Sequence, residues 1–370
     1  MNVYGSNELA RDVQQAGYCI GCGACVELCP YFRNHRGHTA RLFACSLEQG
    51  RCHAHCPKTE VDLEELSSAL YGEKYEGTPL GHYRSILAAR ATGKVAGPFQ
   101  GGGTVSALAT YALESKLIDA AILTGADGMR PVPQIVTDPD KVARCGSSRF
   151  TAAPTLSVMN QAVRQGMRRL GVVGTPCQMT AVAQMKQNPL GIEDFEDPVA
   201  LTIGLFCNWA LEHKQLAAYL ANHLDLDSIT GMDIPPPPAA VMVVKTQDTE
   251  HQFPLEEIRP LIPLSCFICP DMTSEWADVS VGMYEGRPGW NTLIVRSEAG
   301  AELVEGAVSN GWIETEAFPG DRLQELAKAA LAKKERSFRN ANRRGLLQEG
   351  ENGARPAMKV PQEVLDRLLA

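Results

Sequence analysis

The chain has 370 residues, 44% of them hydrophobic and 21% charged, with a formal net charge of −8. That balance suits a globular protein with a buried core, and a soft prior of about 150 residues per domain suggests two or three domains. The acidic charge lacks the basic footprint of a nucleic-acid binder, no apolar run approaches the roughly 18 residues of a membrane span, and the opening MNVYGSNELARDVQQ shows no secretory signal.

A cytoplasmic protein is therefore expected, and such a chain keeps its thiols reduced, so clustered cysteines read as metal ligands or catalytic groups. Of its 12 cysteines, Cys19, Cys22, Cys25, Cys29, Cys45, Cys52 and Cys56 crowd the N-terminal segment. The first run, CIGCGACVELCP, places three thiols on one short loop and a fourth beside Pro30. Zinc sites usually combine two separated cysteine pairs around one tetrahedron. CxxCxxCxxxCP is instead the bacterial ferredoxin run, whose last cysteine ligates the other cluster. The second run, CSLEQGRCHAHCP, has Gln49 and Gly50 where a middle cysteine could stand. Crossed ligation gives Cys19, Cys22, Cys25 and Cys56 a complete [4Fe–4S] cluster. It leaves Cys29, Cys45 and Cys52 with a second cluster on three thiolates, either [3Fe–4S] or a [4Fe–4S] completed by another group such as His53 or His55. The plainer reading makes both histidines solvated loop residues.

From about residue 84, short apolar runs alternate with helical ones. SILAARAT (85–92), DAAILTG (119–125), RLGVVGT (169–175) and VALTIGLF (199–206) read as buried strands. TVSALATYALESKL (104–117), PTLSVMNQAVRQGMR (154–168) and CQMTAVAQMKQ (177–187) read as helices. The alternation predicts an α/β layer architecture. AVMVVKTQ (240–247), DVSVG (278–282) and NTLIVRS (291–297) read as further strands of an α+β extension, and the chain from about 320 is helical.

Gly101, Gly102 and Gly103 precede a helix whose expected N-cap is Thr104. Bare backbone lets amides approach an anion at a helix N-terminus, which makes a pyrophosphate cradle. A flexible turn explains the triplet as well, and the GxGxxG fingerprint is absent. Cys177 follows a strand-to-helix turn, Cys207 ends a strand, and Cys266 and Cys269 form CFICPD. Together they supply four thiolates for one more [4Fe–4S] cluster; the alternative is structural buried cysteine. Cys145 belongs to neither group and is expected to be free. Asp271 and Asp278 read as turn caps. The basic stretch LAKKERSFRNANRRG (331–345) reads as a solvated helix face or a docking surface.

FQGGGTVSALATYALESKLIDAAILTG, GSSRF, VVGTPCQMTAVAQM, IGLFC and CFICPDMTSEWADVSVG resemble successive blocks of the coenzyme F420 hydrogenase/dehydrogenase beta-subunit family, in family order over roughly residues 84–297. The resemblance implies an α/β body carrying FAD and one [4Fe–4S] cluster on Cys177, Cys207, Cys266 and Cys269. It also implies an oxidoreductase subunit that passes electrons between a hydride carrier, coenzyme F420 in the family, and a partner redox subunit. Such partners are hydrogenases, formate dehydrogenases or heterodisulfide-reductase-like modules, while some relatives reduce chlorophyll precursors or serve sulfite reduction. A flavin beside clusters converts a two-electron hydride into single electrons. On this reading Gly101, Gly102, Gly103, Thr104 and Ser148 contact FAD phosphate or ribose. Arg149 either neutralises phosphate or forms a surface salt bridge.

The expected division is a ferredoxin-like segment over 1–75, an FAD and [4Fe–4S] body over 76–315, and a helical extension over 316–370, with two or three clusters in all. The chain is expected to be a subunit of a larger cytoplasmic redox complex, without nucleic acid or a membrane span. NAD(P)H, ferredoxin or another acceptor in place of coenzyme F420 remains an alternative. So do a flavin-free iron–sulfur spacer and a binding protein with structural zinc modules.

Overall fold

The computed structural model describes residues 2–35, 37–97, 99–190, 195–348 and 355–370. Its body is an eight-stranded sheet in the order Ile313–Ala317, Ser85–Ala91, Asn291–Val295, Val279–Met283, Val199–Leu205, Leu170–Gly174, Ala120–Asp127, Arg130–Val136. The strands from Val279–Met283 to Ala120–Asp127 run parallel, and the flanking pairings are antiparallel. Parallel strands are covered on both faces, so they appear in the sequence as unbroken apolar runs. Successive side chains alternate between the faces. Ala120, Ile122, Leu170 and Val172 enter one core, while Ala121, Leu123, Leu201 and Ile203 enter another.

Helices close both layers. Leu108 and Leu113 of Thr104–Glu114, with Leu303 and Val304 of Glu298–Ser309, cover the second face. Leu156 and Met159 of Thr155–Arg164, with Met179 and Val182 of Pro176–Gln187, cover the first. The mixed α/β architecture follows the expected alternation.

The late strands do not form one extension. Val279–Met283 and Asn291–Val295 belong to the main sheet, the former paired in parallel with Val199–Leu205. Val241–Thr246 lies in a separate three-stranded antiparallel sheet with Ile229–Asp233 and Glu250–Pro254. A short apolar run states that a strand forms, but its partners are remote in sequence. The edge strand Arg130–Val136 carries Pro131 and Pro133, which hide it from a strand pattern and are tolerated at an edge.

The N-terminal segment shares a core with the body. One buried cluster joins Leu9, Val13, Cys22, Cys25 and Phe32 to Leu156, Met159, Ile268 and Phe338. The Asn160 side-chain amide donates to the carbonyls of Ala24 and Val26, at 3.0 and 2.7 Å. Gly23, at φ 87°, makes that approach possible: a Cβ there would stand 2.7 Å from Pro154 O and Ser157 N.

The C-terminal chain is helical over Gly320–Arg343 and Gln362–Leu369. The basic stretch is not a uniformly solvated face. Of its basic residues Lys333 and Lys334 are buried, and the arginines Arg336, Arg339, Arg343 and Arg344 are exposed. Among the described residues no helix is long and apolar enough to cross a membrane.

Candidate functional site

A cavity of about 610 Å³ lies at the carboxyl ends of the parallel strands, lined there by Thr124, Gly174, Leu205 and Gly282. Open α/β sheets bind their ligands at that edge. Gly101, Gly103 and Thr104 form part of the same wall. The N-cap is Gly103 rather than Thr104: it takes the left-handed conformation at φ 71°, and the Phe99 ring occupies the space a side chain would need. Thr104 becomes the first helical residue, its amide facing Asn291 Oδ1 at 3.3 Å. A Cβ on Gly102 would stand 2.8 Å from Asn291 Oδ1 and 3.0 Å from Gly289 O, so the loop needs glycine for packing and not only for flexibility.

Ser148 and Arg149 border the same space. The Ser148 amide donates to Gln100 Oε1 at 3.1 Å. The Arg149 terminal nitrogens donate to the carbonyls of Ser148 and Gly146, and no ion pair of Arg149 forms among the described residues. Thr104 Oγ1, Arg149 Nε, Thr151 Oγ1 and Ser265 Oγ are buried and have no partner in the protein, and all four residues line the cavity. Buried polar atoms left unpaired cost about 1–3 kcal/mol each, so four around one cavity suit a ligand rich in acceptors. Thr151 and Ser265 carry no sequence signal that would have singled them out.

Cys177, Cys207, Cys266 and Cys269 are brought together on the cavity wall. Cys177 enters on the helix capped by Thr175, whose Oγ1 lies 3.3 Å from its sulfur. The Cys207 amide donates to Met272 O at 2.9 Å, and the Ala210 amide reaches Cys266 Sγ at 3.4 Å. Burial pushes the Cys177 thiol up to about 11, and the charges of Cys269 and Cys266 push the same way. Burial raises Cys207 further, against the Lys333 ammonium and with Cys266, Cys177 and Cys269. Packing ionisable thiols together out of water is unfavourable unless a metal takes the place of their protons. Cys145 also borders the cavity, apart from this set.

The N-terminal thiols lie close enough to act on one another. Burial first, then Cys56, Cys22, Cys19 and Cys52, raises Cys25, and burial pushes Cys56 up to about 12 with help from Cys19 and Cys52. Burial likewise takes Cys52 to about 11, and its thiol neighbours are Cys29 and Cys45. Cys22 feels Cys177 next after burial, so the first N-terminal set adjoins the body set. Among the described residues no three His, Cys, Asp or Glu side chains converge on a single metal ion.

His53 and His55 are not solvated. The short helix Arg51–Ala54 is packed against the body helix Pro176–Gln187, and both rings are buried. His55 Nε2 lies 3.2 Å from Asn188 O, and His53 meets Tyr4 edge-on at 5.4 Å. Burial lowers each imidazole to about 4.

Two lysines bind the thiol-bearing loops. Lys58 Nζ donates to Ser265 O at 3.1 Å, and Lys333 Nζ to Cys207 O at 2.6 Å and Asp271 O at 2.7 Å. One helix turn later Ser337 Oγ donates to Cys269 O at 2.8 Å. The C-terminal helix thus clasps the CFICPD loop. Asp271 caps the turn that follows, accepting from the amides of Thr273 and Glu275. Asp278 accepts from the Thr202 amide and the Ser297 hydroxyl, holding three elements together.

Family models for the coenzyme F420 hydrogenase/dehydrogenase beta subunit match this chain over residues 86–160 for the N-terminal part and 167–320 for the C-terminal part. The coenzyme F420 hydrogenase subunit beta of Methanococcus voltae is 31% identical over 285 residues, which cover 74% of this chain and 98% of that protein. The chain belongs to the coenzyme F420 hydrogenase/dehydrogenase beta-subunit family. Another relative, the coenzyme F420-dependent sulfite reductase of Methanocaldococcus jannaschii, is 28% identical over 90% of this chain and 52% of that protein. Among solved structures, a chain of the F420-reducing [NiFe] hydrogenase complex from Methanosarcina barkeri matches with a TM-score of 0.65 and 28% identity. That match covers 77% of this chain and 98% of the other. Both family models start after the N-terminal cysteine runs, so the thiols from Cys19 to Cys56 lie outside the matched domains.

Proposed function

We propose that this beta-subunit-type chain is an oxidoreductase subunit of a cytoplasmic redox complex, holding FAD in the cavity and three iron–sulfur clusters on its thiol sets, and exchanging hydride with coenzyme F420. The observation that carries the reading is the shared wall: the glycine loop, the unpaired polar atoms and the Cys177 set all border one cavity at the carboxyl ends of the parallel strands. Bound FAD would take a hydride as a pair of electrons and the clusters would carry them singly.

The chain's residues divide the work. Gly101, Gly102 and Gly103 let backbone amides approach a pyrophosphate, at the positive end of the Thr104–Glu114 helix. Thr104 Oγ1, the Ser148 hydroxyl and Arg149 Nε offer donors to phosphate or ribose oxygens. Cys177, Cys207, Cys266 and Cys269 hold the cluster nearest the cavity. Cys19, Cys22, Cys25 and Cys56 hold the next, and Cys29, Cys45 and Cys52 the outermost, as a [3Fe–4S] cluster or a [4Fe–4S] cluster with one further ligand. Lys58 and Lys333 offset buried thiolate charge beside the first two sets. The division at about residue 75 separates the N-terminal thiol sets from the body's cofactor site, the helical extension beyond about 315 carries none of the thiols, and the shared core holds the thiol sets in one frame.

Anaerobic purification followed by iron, acid-labile sulfide and flavin analysis tests the cofactors. Mixing the protein with reduced coenzyme F420, NADH or NADPH in separate anaerobic trials tests the carrier. Bleaching of the flavin by reduced coenzyme F420 is expected. Bleaching only by a nicotinamide would transfer the reading to that carrier, and a flavin-free, iron-containing protein would make the chain an electron-transfer spacer.

A further inference from the structure

The three most exposed large apolar side chains of the described protein are Leu42, Phe43 and Leu47, at 52%, 61% and 65%. Of the other exposed apolar residues, Leu264 and Phe267 share one short helix, while Tyr83, Leu117, Met283 and Val308 lie far apart in sequence. Isolated exposed apolar residues are ordinary, whereas a contiguous group on a soluble surface marks an interaction site. These three lie within six positions and bracket Cys45. A hairpin of Phe32–His35 and His38–Arg41 presents them: the Leu42 amide donates to Tyr31 O at 2.7 Å, and the Phe43 ring meets Tyr31 edge-on at 6.0 Å.

All three thiols of the outer set are within reach of solvent. Cys29, Cys45 and Cys52 are partly exposed, whereas three of the four inner thiols, Cys22, Cys25 and Cys56, are buried and only Cys19 of that set is partly exposed. Cys25 feels Cys52, so the outer set adjoins the inner one, which in turn adjoins the Cys177 set. The rim is basic in an acidic chain. Arg33 and Arg51 are exposed and Arg41 half-buried, against the exposed Glu48, while Glu8 is engaged by the Gly5 amide. Arg41 is held by Ser6 Oγ and Asn7 Oδ1.

We propose that the Leu42, Phe43 and Leu47 face beside Cys45 docks an acidic iron–sulfur protein that exchanges single electrons with the Cys29, Cys45 and Cys52 set. This rests on the reading of that set as a cluster site. In each encounter one electron leaves the reduced protein and enters the other, with no proton and no bond change. An apolar centre with a charged rim suits such a partner, because redox encounters use small interfaces and rely on complementary charge for steering. The basic rim selects an acidic partner and repels a basic one.

The test uses the full holoprotein, oxidised and anaerobic, mixed rapidly with a chemically reduced, acidic two-cluster bacterial ferredoxin as the probe. Reduced viologen, a small donor that needs no docking surface, serves as the reference. The ferredoxin rate should fall steeply with ionic strength, and Phe43→Ser with Leu47→Ser should lower the ferredoxin-to-viologen rate ratio by roughly tenfold or more. Arg33→Glu should lower the ratio too, whereas Val308→Ser should leave it at the wild-type value.

Unchanged ratios in the Phe43/Leu47 and Arg33 variants, with iron content intact, overturn the docking face alone. Iron content unaffected by Cys45→Ser overturns both the face and the cluster reading beneath it. A wild-type dimer that Phe43→Ser dissociates shows that a second copy covers the face and overturns the proposal.

Discussion

Lys58 Nζ donates to the carbonyl of Ser265 at 3.1 Å, which ties the residue two beyond Cys56 to the residue just before Cys266. The ammonium therefore stands between two thiol sets, and it draws down the thiols of Cys56, Cys177 and Cys266 against the larger effect of burial. A positive charge there favours an added electron on either side. Lys58→Met keeps most of the volume and removes the charge. The expected result is a lower reduction potential for the neighbouring clusters, on the order of 1–2 kcal/mol per electron at an effective dielectric of about 20. Redox titration followed by electron paramagnetic resonance checks it; unchanged potentials with full iron content would show that the charge is not sensed.

Cys177→Ser or Cys207→Ser should remove about four irons per chain, those of one [4Fe–4S] cluster, and leave the iron of the N-terminal sets in place. Iron and sulfide analysis of the two variants beside the wild type checks the assignment. Full iron in both would mean that these thiols are structural.

Arg149→Gln should weaken FAD binding by roughly tenfold or more, since a charge-assisted hydrogen bond contributes about 1.5–3 kcal/mol. Thr104→Val, which removes one neutral hydroxyl, should weaken it by about fivefold. Fluorescence titration of flavin into the apoprotein gives both constants. Equal affinity in wild type and Arg149→Gln would place the anion elsewhere.

The glycine loop can be tested independently of any ligand. Gly102→Ala would force a methyl group against Asn291 Oδ1 and the carbonyls of Gly289 and Ala89, and overpacking of this kind costs about 1–3 kcal/mol. A Cβ at Gly93 would meet no other atom within 4 Å, so Gly93→Ala should unfold at the wild-type temperature. Thermal melts of the two variants should diverge clearly.

The Glu275–Lys334 pair, at 2.7 Å with side chains 4% and 0% exposed, fastens the C-terminal helix to the loop beyond Cys269. Lys334→Met leaves a buried carboxylate unpaired and should destabilise the fold by about 3–5 kcal/mol. Adding Glu275→Gln should recover much of that loss. Chemical denaturation of the single and double variants measures the coupling, and a double variant as unstable as the single would show that the pair's charge is not the cause.

Much of the local structure was legible in the sequence. The apolar runs at 119–125, 169–175 and 199–206 became parallel strands because strands buried on both faces must be apolar throughout. The cysteine spacings fixed which thiols share a loop, since a few residues of backbone can reach only a few places. Other features depended on contacts between distant segments. Val279–Met283 joined the main sheet because Val199–Leu205 offered a parallel edge, which a five-residue run cannot specify. Gly103 rather than Thr104 became the cap because the Phe99 ring fills the space beside it. His53 and His55 were buried where their short helix meets Pro176–Gln187, and Lys333 and Lys334 turned inward because the carbonyls of Cys207, Asp271 and Thr78 and the Glu275 carboxylate converge there. Spacing and periodicity along the chain record the geometry of a turn, a strand or a helix. The partner of a buried charge and the wall of a cavity are decided by which remote segments pack together, and the tertiary structure alone supplies them.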